Sequence, residues 1–200
     1  MMTIRPEYLV VVPGAYLIGA IPFGLLYSLY VEREDLREEG SGNIGATNVL
    51  RNFGWPAGVI TLLLDAAKGA VPSYAALTMF PGDPRIWIFV GGSAILGHVF
   101  PVYLGFDGGK GVATSAGVFA VLLPLPLAVG LTGFFLAVGI TRYMSVGSLI
   151  GALLLPGYGT YLYGFTHPTV LGAWVLAFVV YWRHRGNIRR LLNGEEETFL

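Results

Sequence analysis

The chain has no cysteine, only three histidines, and just 12 % charged residues in 200 positions. The first absence excludes disulfide staples, thiolate metal sites and a cysteine nucleophile together. The scarcity of polar side chains goes further, because no His-Asp-Ser arrangement, metal-ligand cluster or pair of carboxylates can be assembled from the segments that hold them. Excess charge of either sign is also missing: twelve Lys/Arg balance twelve Asp/Glu. Nothing therefore offers nucleic acid a broad basic surface.

What is abundant is apolar. Hydrophobic residues make up 54 % of the chain and the mean hydropathy is +0.67, beyond the range of ordinary soluble domains. The 29 glycines and 12 prolines fit a lipid-solvated helical protein, since both are commoner in membrane helices than in soluble ones. No repeat accompanies them.

Apolar runs cover about 8–30, 56–80, 86–104, 112–123, 127–141, 145–164 and 168–182. A spanning helix needs roughly 20 residues. These runs predict a single all-α polytopic membrane domain over 1–200 with about seven transmembrane helices. The first run is too long for a signal-peptide core and has no basic flank beyond Arg5, so it reads as a retained span. The short pair around Pro124-Leu125-Pro126 fits either two tilted spans or one re-entrant hairpin. Segments 31–55, 105–111, 142–144 and 183–200 hold three, one, one and four Lys/Arg, against Arg5 and Arg85 alone on the other side. The positive-inside rule then places the N-terminus in the extracellular or periplasmic space and the C-terminus in the cytoplasm.

Three cytoplasmic segments carry the chemistry. In the first, an acidic run from Glu32 to Glu39 reads as a solvated face. It is followed by Gly40-Ser41-Gly42-Asn43-Ile44-Gly45-Ala46-Thr47-Asn48-Val49-Leu50-Arg51. Closely spaced glycines let backbone N–H groups converge on an anion; Ser41, Asn43, Thr47 and Asn48 add donors and Arg51 a bidentate fork. Gly40, Gly42 and Gly45 also fit the dinucleotide fingerprint, but an apolar helix stands where that motif needs a strand. A flexible loop is the bland alternative.

The second segment, Gly105-Phe106-Asp107-Gly108-Gly109-Lys110-Gly111-Val112-Ala113-Thr114, sets a lysine among glycines at the start of a helix. Such a point charge beside free N-terminal amides suits a phosphate. It is not a Walker A loop, because Leu104 and Gly111 occupy the positions of the first glycine and the magnesium-binding hydroxyl. The competing reading of Lys110 is an interfacial anchor. His98, before this loop, reads as a structural hydrogen-bonding group ahead of a catalyst. The third segment, Arg183 to Glu195, is basic directly after the last run, which attraction to lipid head groups would explain. Asp65 and Lys68, three apart inside the second run, share a helix face and are expected to neutralise each other.

Taken in order, Gly40-Ser41-Gly42-Asn43-Ile44-Gly45-Ala46-Thr47-Asn48, Gly97-His98 with Pro101 and Gly108-Gly109-Lys110-Gly111-Val112-Ala113-Thr114, and His184-Arg185-x-Asn187-Ile188-x-Arg190-Leu191 resemble the motifs of the bacterial acyl-phosphate:glycerol-3-phosphate acyltransferases. Asp65-x-x-Lys68-Gly69 matches as well. The H-x-x-x-x-D pattern of the common glycerolipid acyltransferases is absent at His98, His167 and His184. The resemblance implies a seven-span enzyme of the bacterial inner membrane with its site facing the cytoplasm. It would transfer an acyl group from acyl phosphate to the 1-hydroxyl of glycerol 3-phosphate, giving lysophosphatidic acid and phosphate, without metal or cofactor. The substrate-phosphate set is then Ser41, Gly42, Asn43, Gly45, Thr47, Asn48, Arg51, Gly108, Gly109, Lys110, Gly111, Thr114, His184 and Asn187, of which Ser41, Asn43, Thr47, Lys110, His184 and Asn187 take the catalytic roles. The donor's own phosphate is the expected proton acceptor, with His184 as the alternative base. A transporter of a phosphorylated metabolite is the rival, but it would place its polar site at the midplane among internal repeats.

Overall fold

The computed structural model describes residues 5–199, and among them every regular element is helical. Two compact units divide the chain, Met1–Val121 and Leu122–Leu200.

In the first unit, helix α1 (Tyr8–Gly19) ends just before Ile21-Pro22. Proline supplies no N–H for the ladder and disfavours helix at the residue before it. The chain resumes as α2 (Phe23–Tyr27), which runs into a single π turn, Ser28–Glu32, bent from α1 by 44°. The first apolar run is thus broken where one helix was expected. α3 (Ala46–Phe53) and the long α4 (Trp55–Met79) are separated by Gly54 alone, whose φ of 84° is a left-handed value that glycine adopts at no steric cost. α5 (Pro84–Val99) starts on Asp83, whose carboxylate accepts from Tyr8 Oη at 2.7 Å and so ties the start of α1 to it. α6 is Val112–Leu122.

The distribution of polarity names the solvent. On α4, Thr61, Asp65, Lys68 and Ser73 are buried along one helical face, while Leu63, Val71 and Tyr74 are each more than 60 % exposed. Polar inside and apolar outside is the arrangement for lipid, not water. Close crossings replace the hydrophobic effect as the adhesive between such helices. A Cβ on Gly19 would collide with the Ala94 carbonyl and one on Gly97 with the Tyr16 carbonyl, where α1 meets α5. Gly69 stands equally close to the Thr114 carbonyl and Gly117 to the Ala66 carbonyl, where α4 meets α6.

The second unit contains α7 (Pro124–Thr141), α8 (Met144–Tyr163), α9 (Pro168–Arg183) and α10 (Arg185–Asn193). Gly130 and Gly151 face each other across α7 and α8, a Cβ on either lying 3.0 Å from the other's carbonyl oxygen. Tyr181 Oη donates to the Leu149 carbonyl and Trp174 Nε1 to Thr160 Oγ1, joining α9 to α8. α7 begins at Pro124, earlier than the expected 127, because prolines are tolerated in a first turn whose N–H groups have no intrahelical acceptor.

Each of the seven predicted runs contains helix. Among the described residues two stretches qualify as spans by length and composition, Pro84–Leu104 and Pro124–Thr141, or three if the bent pair Tyr8–Gly19 and Phe23–Glu32 is one. Val112–Leu122 and Pro168–Arg183 are shorter apolar helices.

Candidate active site

The residues singled out in the sequence fall into three local clusters. The first begins with the loop between the π turn and α3. Arg37 binds the Asp35 carboxylate through its side chain and its backbone N–H, and holds that carboxyl down at about 2, on the exposed side of the turn. Leu36 points the other way. It is fully buried with Ile44, Val49, Leu25 and Ala57, so both ends of the glycine stretch are anchored in one apolar cluster. Leu104, the last residue before the second glycine loop, packs on the same cluster. One apolar floor therefore carries both loops.

Above that floor, Asn48 organises the first loop. Its Oδ1 accepts the Ser41 N–H at 3.1 Å, while its Nδ2 donates to the carbonyls of Glu39 at 3.0 Å and Leu36 at 3.4 Å. Asn43 Oδ1 accepts the Gly45 N–H at 3.0 Å, and the Gly42 N–H bonds the Glu39 carbonyl at 2.9 Å. Gly40 and Gly42 take positive φ, 55° and 67°, which these tight turns require. The sequence reading counted Asn48 among donors to a ligand; the side chain is buried and engaged inside the loop that it shapes. Thr47 and Arg51 lie on α3, in its first and last turns, and Ser41 is exposed. As in any helix, the first N–H groups of α3 have no intrahelical acceptor and face outward from its end. Asn48→Ala would strand three backbone groups and is expected to cost about 1–3 kcal/mol. Thermal unfolding in detergent would read this, and glycine-loop function would fall with it.

The second cluster is Gly108-Gly109-Lys110-Gly111. Gly111 has φ 81°, and α6 starts at the next residue, so Lys110 does stand at a helix N-terminus. Lys110 is half-buried, whereas Gly108 and Gly109 are buried against His98. The Gly109 N–H donates to the His98 carbonyl at 3.0 Å. Beneath lies the expected intrahelical pair: Lys68 Nζ is 2.7 Å from Asp65 Oδ1 and donates at 2.7 Å to the carbonyl of Ile21, the residue before Pro22 where the first helix is interrupted. Thr114, counted among phosphate donors, is fully buried with its methyl and carbonyl against Gly69, in the seam between α4 and α6.

The third cluster belongs to the second unit. His184 ends α9, is buried, and has Nδ1 2.8 Å from the Val180 carbonyl. Asn187 Nδ2 donates to Glu196 Oε1 at 2.7 Å, and the same carboxylate takes Ser145 Oγ at 2.6 Å and Arg190 Nε at 2.8 Å. Glu196 thus fastens the C-terminal tail to α8 and α10, and the Phe199 N–H adds a bond to the Arg142 carbonyl at 2.7 Å. Burial pushes the Glu196 carboxyl up, but the three donors and the Arg190 charge outweigh it, so the net direction is down. The sign follows from linkage: its stabilisation is complete above the ordinary carboxylate pKa and is lost as pH falls through the lower folded value. Glu196→Gln should therefore unfold earlier than wild type at neutral pH and lose less on acidification, measured by thermal melts across pH.

Sequence reasoning missed Leu36, Glu196 and Ser28, whose Oγ accepts the Leu36 N–H at 3.3 Å and donates to the Leu25 carbonyl at 3.0 Å. Leu36 alone had a signal, one apolar residue within an acidic run. Among the described residues no group of three or more His, Asp and Glu is placed to hold a metal ion.

Comparison with known proteins points one way. The profile of the glycerol-3-phosphate acyltransferase family matches residues 9–194. The chain is 48 % identical to a glycerol-3-phosphate acyltransferase of Anaeromyxobacter sp. (strain K), over 93 % of its own length and 94 % of that protein's. It is 44 % identical to one of Geobacter sulfurreducens, over 96 % and 97 %. Among solved structures it resembles PlsY (YgiH), an integral membrane glycerol 3-phosphate acyltransferase. The glycerol 3-phosphate form gives a TM-score of 0.91 at 36 % identity, covering 97 % of this chain and 96 % of that one. The lysophosphatidic acid form gives 0.88 at 34 %, covering 96 % and 95 %. With a profile running from residue 9 to residue 194 and identity of this extent, the chain belongs to the glycerol-3-phosphate acyltransferase family.

Proposed function

We propose that this membrane enzyme transfers a fatty acyl group from acyl phosphate to the 1-hydroxyl of glycerol 3-phosphate, giving lysophosphatidic acid and inorganic phosphate as the first step of phospholipid synthesis. The observation that carries the reading is the pair of glycine loops resting on one apolar floor, each leading into a helix N-terminus. Two such anion-suited ends match two phosphates, one on each substrate. The relative solved with glycerol 3-phosphate and with lysophosphatidic acid supports the acceptor and the product, which differ by one acyl ester.

In this reading Lys110 and Arg51 hold the glycerol phosphate. Ser41, Asn43, Thr47 and the first turn of α3 cradle the acyl phosphate and stabilise the oxyanion that develops on its carbonyl. The 1-hydroxyl oxygen forms a bond to the carbonyl carbon, the carbon–oxygen bond to phosphate breaks, and the departing phosphate takes the hydroxyl proton. A mixed anhydride has a good leaving group, so placing the reactants together supplies much of the acceleration, up to roughly 7–11 kcal/mol. Asn48 and Thr114 serve as positioning residues. The part given to His184 and Asn187, orienting the acceptor, rests on the motif resemblance alone. The proposed topology has seven spans, the N-terminus outside and the loops facing the cytoplasm of a bacterial inner membrane.

The donor is tested by offering purified protein palmitoyl phosphate, palmitoyl-CoA or palmitoyl-acyl carrier protein with glycerol 3-phosphate. Lysophosphatidic acid is expected with the first alone; equal rates with a thioester would overturn the assignment.

A further inference from the structure

His98 touches the second glycine loop in two ways. Its carbonyl accepts the Gly109 N–H at 3.0 Å, and its imidazole lies against Gly109 so closely that a Cβ there would overlap Nε2 and come within 2.7 Å of Cε1 and 2.9 Å of Cδ2. Gly108 is wedged in the same way between the His98 carbonyl and the Pro101 ring. The other edge of the ring faces inward. His98 Nδ1 is 3.7 Å from Asp65 Oδ1, and Asp65 is fixed by Lys68, which is itself bonded to the Ile21 carbonyl. All three side chains are at least 95 % buried. The imidazole is therefore a spacer between a buried ion pair and Gly109, the residue before Lys110.

We propose that His98, braced by Asp65 and Lys68, is a positioning residue for the Lys110 loop. It fixes the backbone of Gly108 and Gly109, and so aims the Lys110 ammonium and the opening N–H groups of α6 at the phosphate of glycerol 3-phosphate. The inference rests on the reading that Lys110 holds that phosphate. It gives glycine at 109 a reason that conformational freedom does not: Gly109 is absent from the positive-φ glycines, so the requirement is the space taken by the ring. The role of His98 is to hold backbone in place, its ring lying buried between Gly109 and Asp65.

A double-mutant cycle tests the contact. Gly109→Ala, His98→Ala and the double variant are compared by KM for glycerol 3-phosphate, KM for acyl phosphate, kcat and thermal midpoint. Overpacking at 109 should raise KM for glycerol 3-phosphate by about 10- to 100-fold, with KM for acyl phosphate changed by less than about twofold. His98→Ala should raise the same KM by about tenfold, and adding Gly109→Ala to it should change little, because the obstructing ring is gone. Fold-changes that multiply, or two KM values that move together with the thermal midpoint, would overturn the proposal. Should His98→Ala not be recovered folded, His98→Asn frees the same space and must give the same relief. Wild-type protein that is silent with acyl phosphate would sink the proposed function instead. Calorimetric binding of glycerol 3-phosphate then reads the same cycle.

Discussion

Lys110→Ala is expected to lower kcat/KM for acyl phosphate and glycerol 3-phosphate by about 10²- to 10³-fold while the protein stays folded. The size follows from the setting. In the proposed site, a single ammonium beside the N-terminal amides of α6 would meet a dianionic group at a membrane surface, where the low dielectric strengthens each charge contact. Survival of the fold follows from position, since Lys110 is half-buried at a loop while the packing of α6 runs through Thr114, Gly117 and Val118. Arginine should restore only part of the loss, because its broad planar fork differs in size and geometry from the compact ammonium of lysine. Phosphate release and a thermal melt decide it: turnover at the wild-type level would remove Lys110 from the site.

Asp65→Ala carries the largest expected loss of stability, about 3–5 kcal/mol. Removal of the carboxylate leaves the Lys68 ammonium, 4 % exposed, facing only the Ile21 carbonyl and the face of Phe23, 5.6 Å from its ring centroid. A lone charge in that place has no water to turn to. Replacing both members by apolar side chains of similar size, Asp65→Leu with Lys68→Met, should recover most of the loss, since the desolvation of both charges vanishes together. Denaturant unfolding in detergent micelles measures the cycle. A single variant as stable as wild type, or a double variant worse than the single, would contradict the pairing.

The helices were legible wherever lipid dictates composition. Each of the seven apolar runs holds a helix, because a segment in lipid must satisfy its own backbone and be apolar outward over its whole length. The Asp65–Lys68 pair was equally plain from its three-residue spacing. Local interruptions were less so: Pro22 reads as one more proline of a membrane helix until its effect on Ile21 is considered. The short helices α3 and α10 were hidden by their own polarity. Ala46, Val49, Leu50 and Phe53 do fall at helical spacing between Gly45 and Gly54, a start and a stop that the interest in glycines obscured. For α10 the sign was Ile188, Leu191 and Leu192 followed by Gly194, which takes φ 71° as a helix terminator.

The candidate site was legible as a list and illegible as an arrangement. Residue types suited to phosphate stood out at Ser41, Asn43, Thr47, Asn48, Arg51 and Lys110. Which of them shape the loop depends on partners far off in the chain. Asn48 bonds carbonyls nine and twelve residues earlier, Glu196 reaches back to Ser145, and Gly109 meets the ring of His98. Spacing along a sequence encodes neighbours on one helix, whereas these pairings are set by how separate elements pack.

The fate of the two substrates separates an acyltransferase from a transporter. Protein reconstituted in liposomes, given acyl phosphate and labelled glycerol 3-phosphate from one side, should yield lysophosphatidic acid in the membrane and inorganic phosphate in solution in a one-to-one ratio. Label that accumulates unmodified inside the liposomes, with neither product formed beside an active control enzyme, would contradict it.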